Sequence, residues 1–251
     1  MKIALKFAYD GRKFYGYARQ PKLRTVEGEI IQKLKQNNYI KNPKDALFRS
    51  ASRTDKGVSA LGNTCSFDTD KNTENILKNL NENLEEIIFY GKKIVKPDFY
   101  PRHAKQRIYR YYLKKQGLDI DKIIETLDIF TGTHDFTNFA KIEPHKDPIR
   151  TIDNIVFSKD KDFLVIDFYA QTFLWHQIRA IISGLEKTGK NKLEKEKIKH
   201  ALENPKIDKS YGLADPKFLI LKDIVYDFDF KQPREYLIKK NVLENNLTSS
   251  Y

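Results

Sequence analysis

The spacing of apolar residues along the first half of the chain predicts strands and helices in alternation. Every second residue between Lys2 and Tyr9 is large and apolar, a period that is typical of a half-buried strand. Thr25 has the side chain of a helix N-cap, and apolar residues recur behind it at helical spacing, so a helix is expected there. The same reasoning predicts a strand at residues 64–67, a helix at residues 72–84 and an extended segment at residues 87–95.

The second half of the chain repeats this order of elements. It begins near Arg107, and aromatic residues at 108–113 favour a strand. Paired strands are expected at residues 151–157 and 163–170, around a polar turn. The remaining expected elements are helices at residues 123–130, 173–187 and 193–202, a strand at residues 218–226 and a basic, Asn-rich tail at residues 228–251.

Strands and helices in this order predict an α+β fold of two halves that share a sheet. No linker rich in Gly or Ser separates the halves, so a cleft between tightly joined halves is expected instead of a flexible tether. The expected division places residues 1–105 in an N-terminal half and residues 106–251 in a C-terminal half.

The net charge of the chain indicates which class of molecule it binds. The 251 residues carry a formal net charge of +12, with a sequence pI near 9.4. This surplus favours a polyanion, which can be RNA, DNA or an acidic membrane surface. A mean hydropathy of −0.63 and an alternating N-terminus lead us to expect neither a transmembrane helix nor a signal peptide. The single cysteine, Cys65, excludes a disulfide framework and a cysteine-based zinc site, so a cytoplasmic protein is expected.

The most informative stretch is ASRTDKGVSA at residues 51–60. Gly57 can take a positive φ, so the chain can turn sharply just after Asp55. That turn presents the carboxylate with a cation on each side, Arg53 and Lys56. A nearby arginine favours the ionised form of a carboxylate. From these residues alone, Asp55 is either part of a solvated ion pair or a prepared nucleophile.

The complete string resembles the active-site loop of the TruA-type tRNA pseudouridine synthases, also called tRNA pseudouridine 38–40 synthases. In that family the Asp of Arg-Thr-Asp is catalytic, so the resemblance implies catalysis by Asp55. It extends over five segments in the family's order between Lys2 and about Tyr226, and Lys56 and Ser59 resemble archaeal members. It implies the pseudouridine synthase fold, with two similar α/β halves, a mixed, mainly antiparallel sheet and a basic cleft between the halves.

Two further residues receive catalytic roles from the resemblance. Tyr109 reads by pattern as a core aromatic on a strand, but its segment is similar to the family's Arg-x-Tyr-x-Tyr strand, which implies stacking on the target base and movement of the C5 proton. Arg179 lies at helical spacing from Trp175 and Ile182, and an arginine on an apolar face needs an anionic partner. The family helix Phe-x-x-His-x-x-Arg implies that this partner is Asp55.

Other residues are expected to contact the substrate. The loop FYGYARQ at residues 14–20 mixes aromatic and basic residues, which suits stacking and phosphate contact, or it is a loop pinned by its aromatics. It resembles a family loop, and two arginines before the second half match basic positions of the family. The expected substrate-binding residues are Tyr109, Arg53, Lys56, Arg19, Arg102, Arg107, Trp175 and His176.

A metal site is not expected. The dipeptide His134-Asp135 is found in metal phosphohydrolases, but such sites need further ligands, and the chain has only five widely scattered histidines. We therefore interpret both residues as structural or substrate-lining.

The resemblance implies an isomerase that converts uridine to pseudouridine in the anticodon stem-loop of tRNA, at positions 38–40. No cofactor is expected, because the reaction is neutral in redox and in composition. The family also implies a homodimer. Two alternatives stay open: a non-catalytic RNA-binding protein on the same fold, and a metal-dependent nucleotide hydrolase or phosphotransferase.

Overall fold

Strands and helices alternate through the computed structural model, which describes residues 1–207, 210–249 and 251. The strands are β1 (Lys2–Tyr9), β2 (Arg49–Ser50), β3 (Ser59–Asp68), β4 (Ile87–Val95), β5 (Gln106–Lys114), β6 (Gly132–Asp135), β7 (Ile149–Ile152), β8 (Asn154–Lys159), β9 (Phe163–Ala170) and β10 (Leu219–Val225). The α-helices are α1 (Val26–Gln36), α2 (Ile76–Asn81), α3 (Ile120–Leu127), α4 (Gln177–Gly189), α5 (Lys195–Glu203) and α6 (Arg234–Thr248).

The chain folds as two units. The first unit comprises Met1–Lys105 and Ile220–Tyr251, and the second comprises Gln106–Leu219. The sequence-based division assigned all of residues 106–251 to a second half. The last segment lies with the first unit instead, because β10 pairs in parallel with β3 and because α6 packs against β4 and β1.

The first unit is built on a sheet with the strand order β4-β1-β3-β10. β1 pairs antiparallel with both β3 and β4, and every residue of β1 after Lys2 is buried. The sequence predicted a half-buried strand, and this prediction is wrong because both faces of β1 are covered. Even Lys6 is buried, and its Nζ lies 2.5 Å from Asp223 Oδ1. Lys6 Nζ also lies 5.5 Å from the centroid of the Phe230 ring, so a residue that follows β10 helps to cover the side of β1 that was expected to face water.

The second unit contains an antiparallel sheet of β5, β9 and β8, and a separate hairpin of β6 and β7. Tyr109 of β5 lies opposite Phe168 of β9, and Arg110 lies opposite Asp167. Helices α3 and α4 pack against each other. The mixed α/β class and the mainly antiparallel pairing expected from the sequence are confirmed in each unit.

Several predicted elements have different ends. The helix expected at residues 72–84 is only Ile76–Asn81, because the Asn81 side chain accepts the Phe89 N–H and donates to the Leu77 carbonyl. The strand expected at residues 151–157 is divided between β7 and β8. The residue between them, Asp153, donates its N–H to Tyr169 O at 2.8 Å.

The C-terminal part of the chain also departs from the expectation. Residues 228–251 were expected to be a tail, but most of them form α6, with Leu243 and Leu247 buried. The apolar run from Phe218 through Ile224 belongs to the core and not to a free surface. Cys65 is buried as a small apolar side chain, as expected, and burial raises the pKa of its thiol. Among the described residues, no helix is both long and apolar enough to span a bilayer.

Candidate active site

Asp55 lies at the start of a tight turn between β2 and β3. The Val58 N–H donates to the Asp55 carbonyl at 3.2 Å, which closes the turn. Gly57 has φ 85°, the value that a type II turn requires at its third position. The turn predicted from Gly57 is thus confirmed, and Asp55 is half-buried, whereas Arg53 and Lys56 are exposed.

Buried hydrogen bonds hold the backbone on the N-terminal side of Asp55. The Thr54 hydroxyl lies 2.8 Å from the Tyr9 hydroxyl, and the Thr54 carbonyl accepts the Tyr17 N–H at 3.1 Å. The Ser52 carbonyl accepts the Asn63 side-chain amide at 3.0 Å. Strand β1 and the loop after it therefore hold Thr54, the residue before the carboxylate, and β3 holds Ser52 two residues earlier.

The chain after β1 fixes the other side of the turn. The Gly11 N–H donates to the Ser59 hydroxyl at 3.0 Å. A Cβ added at Gly11 would lie 1.9 Å from the Val58 carbonyl oxygen, which is inside van der Waals contact. Only a glycine allows this approach, so Asp10-Gly11 and the Asp55 turn form one packed unit of backbone.

The loop at residues 14–20 was interpreted either as a loop pinned by its aromatics or as a surface for stacking and phosphate contact. Different residues of the loop fit each interpretation. Phe14 and Tyr17 are buried and pin the loop, and burial raises the pKa of Tyr17. Tyr15 is 50% exposed, with the Lys56 ammonium 4.5 Å from its ring centroid. Arg19 is exposed, and its Nε lies 3.3 Å from Glu27 Oε2.

Tyr109 lies on β5, on the same face as Arg107 and Tyr111. Its half-buried ring meets the Phe173 ring edge-to-face at 5.3 Å. Arg107 is buried and donates to the Gln171 carbonyl, and the Tyr111 hydroxyl donates to the Asp215 carbonyl at 3.2 Å. Both neighbours of Tyr109 on this face are thus anchored to backbone of the second unit.

An ion pair that the sequence did not predict lies on the opposite face of β5. Arg110 Nε is 2.7 Å from Asp167 Oδ1, and its Nη2 is 2.8 Å from Oδ2. The hydrogen bonds to Asp167 raise the pKa of Arg110. The signal would have been the pairing of β5 with β9, since the two residues lie opposite each other in register.

Arg179 lies in the first turn of α4. Its Nε donates to the Ala214 carbonyl at 2.9 Å, and its own carbonyl accepts the Ala214 N–H at 3.0 Å. The helical spacing from Trp175 to Arg179 is wrong, because α4 begins only at Gln177 and His176 before it has φ 67°. A left-handed residue ends the helical repeat, so Trp175 does not share the helix face of Arg179.

Trp175 and His176 lie next to each other before α4. Trp175 is 42% exposed, the Lys141 ammonium is 4.2 Å from its ring, and the Lys141 N–H donates to its carbonyl at 2.8 Å. The His176 ring centroid is 4.9 Å from that of Trp175.

His134 and Asp135 make local structural contacts. Asp135 Oδ1 accepts the Thr137 N–H at 2.8 Å and its hydroxyl at 2.6 Å, at the start of the 3₁₀ turn Thr137–Phe139. His134 Nε2 lies 2.9 Å from the Thr131 carbonyl. Within the described part of the chain, no three His, Cys, Asp or Glu side chains are grouped as a metal ion would need.

Comparison with known proteins decides the family. A sequence model of the family described as tRNA pseudouridine synthase matches residues 127–227. A protein of Thermococcus sibiricus named tRNA pseudouridine synthase A is 42% identical over an alignment of 267 positions, which covers 99% of this chain and 100% of the relative. The chain belongs to the tRNA pseudouridine synthase A family. This confirms the resemblance stated from the sequence.

Two further proteins are less similar to this chain. The tRNA pseudouridine synthase A of Methanobrevibacter smithii is 38% identical over an alignment of 245 positions, which covers 90% of this chain and 83% of that protein. A structure titled "Crystal Structure of a Cbf5-Nop10-Gar1 Complex" overlaps 73% of this chain and 45% of its own at a TM-score of 0.38 and 13% identity. An overlap this loose carries no argument about fold or function.

The residues expected at the site of this tRNA pseudouridine synthase A family member fall into two groups. The first unit holds Arg19, Arg53, Asp55, Lys56 and Arg102, the last in an exposed loop. The second unit holds Arg107, Tyr109, Trp175, His176 and Arg179. The partnership of Asp55 with Arg179, and the stacking of Tyr109 on a base, stay predictions.

Proposed function

We propose that this protein isomerises uridine to pseudouridine in the anticodon stem-loop of tRNA, at positions 38–40, with Asp55 as the catalytic nucleophile. The observation that carries the proposal is the turn that begins at Asp55, held by hydrogen bonds on both sides in a chain of the tRNA pseudouridine synthase A family. A carboxylate on a fixed backbone keeps its position during the reaction, which is what covalent catalysis requires.

The basic residues of the first unit suit an RNA substrate. Arg53, Lys56, Arg19 and Arg102 are exposed, and the whole chain has a net charge of +12. Contacts of this kind hold the phosphate backbone and set its register. The target uridine must then leave its stack before its sugar can be reached. In this scheme Arg53 holds or replaces the flipped nucleotide.

The chemistry breaks one bond to the ribose and forms another. The bond between C1′ and N1 of uracil breaks, the detached ring rotates, and C1′ joins C5 instead. The proton of C5 is lost and N1 gains one, so atoms and electrons balance without a cofactor. Asp55 can act on C1′, on C6 of the ring, or as the base that leads to a glycal, and each route needs one carboxylate.

The second unit supplies the proposed partners of this reaction. Arg179 is oriented by its bond to the Ala214 carbonyl, which suits a guanidinium that pairs with a carboxylate. Tyr109, half-buried against Phe173, offers an aromatic face for the uracil and a hydroxyl for movement of the C5 proton. Trp175 and His176 line the substrate in this proposal. Arg107 also contacts the substrate, and its hydrogen bond to the Gln171 carbonyl holds its side chain in position.

The experiment that tests the function is pseudouridine mapping by carbodiimide treatment and primer extension. tRNA transcripts are incubated in EDTA with wild-type protein and with Asp55→Ala. New stops in the anticodon arm with wild type only are expected, and they establish the activity, the independence from metal and the need for Asp55. If no tRNA shows a stop while binding persists, the proposal is wrong and the protein is an RNA-binding protein without this activity.

The protein is further proposed to act as a cytoplasmic homodimer. Val156 and Phe157 are exposed on β8, which lies at the edge of its sheet among the described strands, and apolar edge strands are suited to pairing with a second copy. Sedimentation velocity is expected to give twice the chain mass of 29.5 kDa for wild type, and the monomer for Phe157→Glu. The control Ile238→Glu, on the exposed face of α6, is expected to stay dimeric. A monomeric wild type at micromolar concentration contradicts the dimer.

A further inference from the structure

Tyr15 stands out among the aromatics of the loop after β1. Phe14 and Tyr17 point into the core, but the Tyr15 side chain is 50% exposed. Removing a large aromatic surface from water is favourable, so a ring that stays exposed in a packed loop is available for a partner.

The backbone that carries Tyr15 is fixed on each side. The Tyr15 N–H donates to the Arg24 carbonyl at 2.9 Å, and the Tyr15 carbonyl accepts the Gln20 side-chain amide at 2.9 Å. Two residues on, the Tyr17 N–H donates to the Thr54 carbonyl at 3.1 Å. The backbone that carries the exposed ring is therefore held beside the Asp55 turn, so little ordering of the main chain is needed when a ligand binds.

Lys56 adds a charge at this ring. Its ammonium lies 4.5 Å from the Tyr15 ring centroid, a cation–π contact, and Lys56 directly follows Asp55 in the chain. An exposed aromatic ring with an ammonium at its side matches a single-stranded nucleotide, whose base stacks while its phosphate pairs with the cation.

We propose that Tyr15 and Lys56 form a binding site for an unpaired nucleotide next to the target uridine. The base stacks on the exposed part of the Tyr15 ring, and the Lys56 ammonium contacts a phosphate of the same nucleotide. Because this pair lies beside Asp55, the nucleotide that it binds is one that flanks the target uridine in the same RNA. The inference rests on the proposed function for the identity of that RNA.

A second lysine–tyrosine pair of the first unit serves as the matched control. The Lys239 ammonium is 5.9 Å from the Tyr236 ring on α6, but that ring is only 9% exposed and cannot accept a base. Lys239→Gln removes the same charge as Lys56→Gln and leaves the Asp55 turn untouched. Any general loss of attraction between the chain and RNA therefore affects both variants.

The test measures binding of an anticodon stem-loop RNA in an Asp55→Asn background, by fluorescence anisotropy over a range of salt. Tyr15→Leu is expected to weaken binding about 5- to 150-fold, the range for loss of one base–aromatic stack, with an unchanged salt slope. Tyr15→Phe is expected to bind normally, because the ring and not the hydroxyl makes the stack. Lys56→Gln is expected to reduce the log–log salt slope by about 0.7, whereas Lys239→Gln leaves it unchanged.

A second measurement locates the nucleotide. 2-Aminopurine is placed at each position that flanks the target uridine, and its fluorescence is expected to fall on binding at one of them and to recover with Tyr15→Leu. Binding by Tyr15→Leu within about twofold of its parent overturns the inference. If that variant folds poorly, the absence of quenching at every flanking position with the intact loop overturns it as well. Failure of the proposed function is separate, since it is read from pseudouridine formation by wild type on the same RNA.

Discussion

Asp55 depends on a residue that never touches substrate in the proposed reaction. Gly11 lies so close to the Val58 carbonyl that no side chain fits between them. Its N–H also holds the Ser59 hydroxyl, just beyond the turn. The geometry of the carboxylate is therefore decided as much by Asp10-Gly11 as by the motif around Asp55.

We predict that Gly11→Ala lowers the single-turnover rate constant about 100-fold while RNA affinity changes only a few fold. The added Cβ must push the turn away from β1, and a displacement of about 1 Å at a catalytic group costs on this order. Single-turnover pseudouridine formation and anisotropy with the same RNA separate the two effects. Gly184→Ala is the control, because a Cβ there would meet its nearest atoms at an ordinary 3.8 Å. Equal rates for both variants would contradict the role given to Gly11.

The elements that the sequence predicted well are those with a strong local pattern. β1, β4 and β9 have the expected bounds because each is a run of apolar or alternating residues with a clear end. The start of α4 was missed because a left-handed His176 has no periodic signature. α6 was missed because its Asn-rich sequence has a weak apolar stripe, and only packing against β1 and β4 makes it a helix.

Within the candidate site, too, features with a local sequence pattern were predicted and contacts between distant segments were not. The Asp55 turn was predictable because a short motif contains both its chemistry and its glycine. Contacts between distant segments were not: Tyr15 with Lys56, and Arg110 with Asp167, are each defined by a fold that brings separate segments together. A sequence pattern states which face a side chain takes, but not which strand or turn lies opposite it.

The pairing of β5 with β9 rests partly on Arg110 and Asp167. We predict that Asp167→Asn lowers the free energy of unfolding by about 3 kcal/mol, because it leaves a half-buried guanidinium without its carboxylate. Urea denaturation followed by circular dichroism measures the change. Asp121→Asn is the control, since Asp121 pairs with Lys159 at 3.1 Å and both side chains are more than half exposed, so a loss of about 0.5 kcal/mol or less is expected. Similar losses in both variants would show that burial does not matter here.

The net charge of the whole chain predicts how binding responds to salt. Each phosphate neutralised by a lysine or arginine releases a counterion, so log K is expected to fall linearly with log salt at about −0.7 to −0.9 per phosphate contact. Titration of a tRNA transcript from low to high potassium chloride measures the slope. A flat response would remove the argument that the charge of +12 serves a polyanion.

The two units differ in whether they are continuous in sequence. The second is one continuous segment, but the first takes its last strand from residues that follow the second. During synthesis, residues 106–218 leave the ribosome before β10 does. The strand that borders Ser59 and Ala60, just after the Asp55 turn, is thus among the last to be made. A chain that is released before β10 is made lacks this strand, so such a copy does not have the complete surroundings of Asp55.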